Sequence, residues 1–115
     1  VVAFQPHRFS RTKLCWEQFL TCFSLADQVF LADVYAAGED PIAGVDADQM
    51  ICDIESRGRL PREGILRIES KRGLTPRLGE VAQQLAAILK PGDALFTLGA
   101  GDIFKLSTAV LEALK

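Results

Sequence analysis

The 115 residues lack most of the usual pointers to function. Three cysteines form no Cys-x-x-Cys pair, and with a single histidine there is no Cys/His ligand spacing. A structural metal site is therefore not expected, and the plain reading is reduced thiols in a cytosolic setting. Cys15 and Cys22 stand seven apart on what reads as one helix, about 10 Å along its axis, beyond the reach of a disulfide. No apolar run approaches the roughly 20 residues that span a bilayer. Val1-Val2-Ala3-Phe4 carries no basic leader or cleavage site, so a cytoplasmic chain without a membrane partner is expected. A formal net charge of -2 argues against a nucleic-acid partner that must neutralise many phosphates. No Gly-x-x-x-x-Gly-Lys-Ser/Thr loop occurs, which excludes that way of holding a nucleoside triphosphate. The length allows one buried core, not two domains.

What is present is alternation. Residues 1–4 are β-prone and apolar, and Gln5 to Thr12 form a polar, proline-broken loop. Thr12 is the expected N-cap of a helix running to about Leu25, with Leu14, Cys15, Phe19, Cys22 and Phe23 on its apolar face. Val29 to Ala32 reads as a buried strand ending at Asp33, and Val34 to Pro41 as a loop. Asp46 or Asp48 caps a second helix whose stripe is Met50, Ile51 and Ile54, stopped by Gly58. Ile65 to Ile68 is a third strand. Thr75 and Pro76 have the pattern of an N-cap and first helical residue, with Leu78, Val81, Leu85, Ile88 and Leu89 continuing at helical spacing. After Pro91-Gly92-Asp93, residues 94–98 form the last strand, and Ile103, Leu106, Val110, Leu111 and Leu114 a final amphipathic helix. Four strand-then-helix units predict an open, Rossmann-like α/β fold with a mostly parallel sheet and helices on both faces. The loops after residues 4, 33, 68 and 98 then share the carboxyl edge, where such sheets bind ligands.

The first of these loops holds His7, Arg8 and Arg11 just before a helix. Guanidinium forks match a carboxylate or phosphate, and a helix N-terminus adds partial positive charge, so this is a candidate anion site. A solvated loop with incidental charge is the plainer alternative. Gly99-Ala100-Gly101-Asp102 permits close approach of a ligand to backbone N–H groups, or is a tight turn needing glycine for its backbone angles alone. Asp33, Glu39 and Asp40 read more simply as turn formers than as paired acids, and Lys71-Arg72 as a charged turn.

Phe4-Gln5-Pro6-His7-Arg8-Phe9-Ser10-Arg11-Thr12, Asp33 to Glu39 with Pro41, Gly44-Val45-Asp46 and Gly99 to Leu106 together resemble the UDP-N-acetylmuramate:L-alanine ligases of the Mur ligase family. The resemblance implies the C-terminal Rossmann-like domain of a three-domain, ATP-dependent ligase of peptidoglycan precursor synthesis. Such enzymes convert the muramoyl carboxylate to an acyl phosphate, which the amine of L-alanine attacks. Residues 1–115 are then that domain without its first strand and helix. ATP and Mg2+ are expected mainly on the missing N-terminal and central domains. The residues implied to bind substrate are His7, Arg8, Arg11, Tyr35, Gly99, Ala100, Gly101 and Asp102, with no catalytic or metal-binding residue in the chain. His7, Arg8 and Arg11 would face the carboxylate of the amino acid or product, and Ala36 and Ala37 beside Tyr35 suit a small side chain. Two alternatives stay open: the related ligase that attaches a ready-made tripeptide, and a non-catalytic Rossmann-like module that holds an anion.

Overall fold

A computed structural model describes residues 1–115 and shows the alternation as four parallel strands. They are β1 (Val2–Phe4), β2 (Val29–Ala32), β3 (Ile65–Ile68) and β4 (Phe96–Leu98), in the order β3-β2-β1-β4. Val2 pairs with Val29 on one side and Phe96 on the other, and Val29 with Ile65. The helices are α1 (Phe9–Leu14), α2 (Trp16–Phe19), α3 (Ala47–Arg57), α4 (Leu78–Ile88) and α5 (Phe104–Leu114).

Strand alternation sends successive side chains to opposite faces and so builds two cores. Ala3, Phe30, Ala32 and Ile68 pack beneath Val81 and Leu85 of α4 and Leu106 and Val110 of α5. On the other face Val29 and Leu31 meet Leu20, Phe23 and Met50 and Ile54 of α3. The two central strands, β1 and β2, are therefore apolar at every position, as a sheet covered on both sides requires, whereas the edge strands carry Arg67 and Thr97. The cover is incomplete at β4. Phe96 and Leu98, in register with Val2 and Phe4 on the α1–α3 face, remain 59% and 44% exposed.

Three local expectations fail for identifiable reasons. The helix expected from Thr12 starts at Phe9, breaks at Cys15 and ends at Phe19. Thr12 is not its cap: the side chain is buried and its hydroxyl donates back to the Arg8 carbonyl at 2.6 Å, a local bond that draws Thr into the first turn. Cys15 and Cys22 thus do not share a helix, although both are free thiols. Thr75 opens a 3-10 turn, Thr75–Arg77, and does not cap it with its own side chain. Asp46 does cap α3, accepting from the Gln49 N–H at 2.8 Å. Gly58 does stand at the end of that helix, but glycine is required there because a Cβ would collide with the Leu20 carbonyl, not because its φ is positive. No helix is long and apolar enough to cross a membrane.

Candidate functional site

With all four strands parallel, the loops that follow them gather at one edge, and hydrogen bonds continue from loop to loop beyond the strands. Tyr35 N–H donates to the Pro6 carbonyl and Arg8 N–H to the Tyr35 carbonyl, each at 2.8 Å. This prolongs the β1–β2 pairing to His7 and Tyr35. Their rings stack, centroids 5.8 Å apart and planes within 11°. The His7 Nδ1 is buried and has no hydrogen-bond partner. Arg8 turns the chain at φ 69°, ψ 141°, a conformation rare for any residue with a Cβ. Such strain costs about 1–3 kcal/mol and survives only where the surroundings enforce it. Here the Tyr35 carbonyl holds one side of Arg8, and the Thr12 N–H and hydroxyl hold the other.

The charges at this edge divide sharply. Arg8 and Arg11 project exposed guanidiniums three residues apart, and neither forms an ion pair. Two neighbouring carboxylates, Asp33 and Glu39, are occupied, while Asp40 is exposed. Asp33, 7% exposed, accepts from Arg67 Nη2 and from the Ser70 N–H at 2.7 Å, tying the ends of β2 and β3 together. Glu39 accepts from the Ser10 hydroxyl at 2.5 Å and the Ser10 N–H at 3.0 Å. Those bonds, with a smaller attraction from Arg8, hold its carboxyl below the usual range. The Ser10 bond also fills one of the free α1 N–H groups expected to help bind an anion. In a helix of six residues, the cationic character of the site therefore rests on the two arginines.

The turn after β4 packs against this wall. A Cβ on Gly101 would lie 2.6 Å from Cγ of the Tyr35 ring and 2.7 Å from Gln5 Oε1. One on Gly99, at φ 151°, would lie 2.7 Å from the Gln5 carbonyl. Both glycines are thus required by close approach to β1 and Tyr35, while Ala100 between them is exposed. Asp102 accepts four hydrogen bonds: from Gln5 Nε2 at 2.9 Å, Leu74 N–H at 3.0 Å, and Thr75 N–H and hydroxyl, each at 2.8 Å. That fills the acceptor capacity of a carboxylate. Partial burial pushes its carboxyl up, but the four donors outweigh burial and bring it down to about 2.

The structure therefore brings His7, Arg8, Tyr35, Gly99 and Gly101 into one wall, with Arg11 beside it. Asp102 lies behind that wall with its oxygens turned to protein donors. Sequence reasoning missed Gln5, Ser10 and Glu39. Gln5 carried one signal: it stands two residues after Ala3 and so continues the inward alternation of β1 onto the same face. It is fully buried.

No three His, Cys, Asp or Glu side chains gather as a metal ion held by protein ligands alone would need. A cavity of about 510 Å3 is lined by none of the wall's residues. It lies at the amino edge of the sheet between the α4–β4 turn and Val110, Leu111 and Leu114 of α5. A smaller cleft of about 340 Å3 at the carboxyl edge is lined by polar side chains of the β3–α4 loop, among them Lys71, Arg72 and Arg77.

No family model matches the chain. It is similar to curated proteins named UDP-N-acetylmuramate--L-alanine ligase. That of Geotalea uraniireducens (strain Rf4) is 40% identical over 115 residues, covering 100% of this chain and 23% of the relative. Those of Bdellovibrio bacteriovorus and Rhizobium johnstonii are 40% and 38% identical, covering 99% and 100% of this chain and 22% of each relative. The chain thus spans under a quarter of the length of the relatives it matches, at their C-terminal end. From its first residue to its last, this chain is related to the C-terminal part of the UDP-N-acetylmuramate--L-alanine ligases.

Proposed function

We propose that residues 1–115 are the C-terminal, Rossmann-like domain, without its first strand and helix, of an ATP-dependent ligase that joins L-alanine to UDP-N-acetylmuramate. On this reading ATP, with Mg2+, activates the muramoyl carboxylate as an acyl phosphate on the enzyme's other domains. Residues 1–115 close the site and hold the amino acid. The observation that carries the reading is the pair of unpaired guanidiniums, Arg8 and Arg11, beside carboxylates of Asp33, Glu39 and Asp102 that are engaged by protein donors. Such a wall attracts one small anion. An α-carboxylate seated on a guanidinium leaves its amine free to point away from the wall toward an electrophile. Loss of translational freedom there is a recognised source of rate. The stacked His7 and Tyr35 rings form one side of the site, and small Ala36 and Ala37 beside Tyr35 are compatible with a small side chain.

The arginines test this in the full-length ligase. A charge-assisted hydrogen bond is worth about 1.5–3 kcal/mol, so Arg11→Ala should lower kcat/KM for L-alanine roughly ten- to a hundred-fold. Arg11→Lys should recover only part of the loss, because an ammonium keeps the charge without the fork. KM values for ATP and the UDP-sugar should change little. Unchanged alanine dependence with collapsed ATP binding would reassign the arginines to the nucleotide.

A further inference from the structure

We infer that Gln5 and Asp102 are positioning residues, a buried pair that sets where the His7–Arg8–Tyr35 wall stands. The inference deepens the proposed function and rests on its assignment of the wall to the amino acid.

Gln5 is fully buried and both ends of its amide are used: Nε2 donates to Asp102 Oδ1, and Oε1 accepts from the Ile103 N–H at 3.2 Å. Its backbone is fixed as well, its N–H donating to the Leu98 carbonyl at 2.9 Å. From Asp102 the connection runs to Leu74 and Thr75, and from the Thr75 hydroxyl to Lys105 Nζ at 3.2 Å. One amide and one carboxylate thus join the loops after β1, β3 and β4. The loop after β2 joins them through packing, since the Tyr35 ring rests on Gly101, the residue before Asp102. Two residues beyond Gln5 the chain reaches His7, then the strained Arg8. A shift of Gln5 away from Asp102 would open the space that Gly101 and Tyr35 share. The His7 ring and the Arg8 turn, both registered on Tyr35, would shift with it. Neither Gln5 nor Asp102 needs to touch the amino acid to govern how it is held.

Gln5→Glu in the full-length ligase provides a test in which a proton is the switch. Protonated glutamic acid keeps the shape of glutamine, donates to Asp102 and accepts from Ile103 N–H. Ionised, it places two acceptor-only carboxylates face to face. Burial and the neighbouring charge raise its pKa, toward the 8–9 known for fully buried glutamates. Relative to the parent at each pH, KM for L-alanine should be near unity at about pH 6 and rise on the order of tenfold by about pH 9, with kcat changing far less. Gln5→Met, which keeps volume and removes both bonds, should raise KM by a similar factor at every pH, and Asp102→Asn should also act without pH dependence. A structural role alone would lower the melting temperature and leave this pH-dependent KM ratio flat. A flat ratio in folded Gln5→Glu, together with an unchanged KM in Gln5→Met, overturns the inference. Arg11→Ala, run in parallel, separates the two readings. If that variant moves the KM for ATP instead of alanine, the ligand assignment has failed. The positioning inference then survives only if Gln5→Glu shows its pH-dependent rise in the KM for ATP as well.

Discussion

Arg8 combines an unfavourable backbone with an exposed, unpaired charge, and these two properties can be separated by substitution. Glycine tolerates φ 69° without the Cβ clash, so Arg8→Gly should leave the fold equally stable or raise it by up to about 1 kcal/mol. The same change removes one of the two guanidiniums, so alanine use should fall although the protein melts no earlier. Parallel measurement of melting temperature and alanine KM checks this, and a clear loss of stability would show that the arginine side chain itself supports the turn. Asp102 makes a different prediction. Its carboxyl sits at about 2 in the folded protein against an ordinary 3.8. The stabilisation it gives is complete above about pH 4 and disappears as the pH falls through 2. The melting-temperature gap between the parent and Asp102→Asn should accordingly narrow over that interval and be constant above it. A gap that persists unchanged at pH 2 would mean that the four hydrogen bonds do not favour the ionised form.

At the level of elements, the sequence displayed what depends on periodicity and concealed what depends on distant partners. Every strand and the three longest helices follow from apolar spacing, and the shared loop edge follows from their alternation. The start of α1 was hidden because Thr12, a residue with cap chemistry, bonds back to Arg8 from inside the first turn. The 3-10 turn at Thr75 was hidden for the opposite reason: its N–H groups are met by Asp102, 27 and 28 residues away. Such a cap leaves no mark in a local window. His7, Arg8 and Arg11 were legible as a cationic cluster, and Gly99 and Gly101 as a tight turn, because composition alone exposes both. What joins them, the Tyr35 backbone and the Gln5 amide, is a matter of which loops touch.

The whole molecule is least complete along β4. Phe96 and Leu98 lie bare on one face, and Leu111 and Leu114 line an open apolar cavity on the other. An edge strand with such surroundings is prone to pair with another chain. Residues 1–115 produced alone should therefore associate and bind an apolar dye, and Phe96→Lys with Leu98→Lys should suppress both. A monomer in sedimentation that melts cooperatively and binds no dye would count against this.

The strand order also determines on which face a helix crossing to either edge of the sheet must lie. Passing from β1 to β2 and on to β3, the chain crosses the sheet in one direction and places α1, α2 and α3 on one face. Returning from β3 to β4 it places α4 on the other. Opposite directions of travel use opposite faces, as a single hand of crossover demands. Suppose a strand and helix are joined ahead of Val1, as the family resemblance implies. A strand docking parallel on the free edge of β3 would send its helix onto the face that α4 and α5 already fill. Docked on β4, it travels in the sense of β1 to β2, and its helix must come down on the α1–α3 face, over Phe96 and Leu98. On that supposition, the chirality of the connections directs such a strand and helix to the β4 edge, and the two exposed side chains mark where the helix would lie.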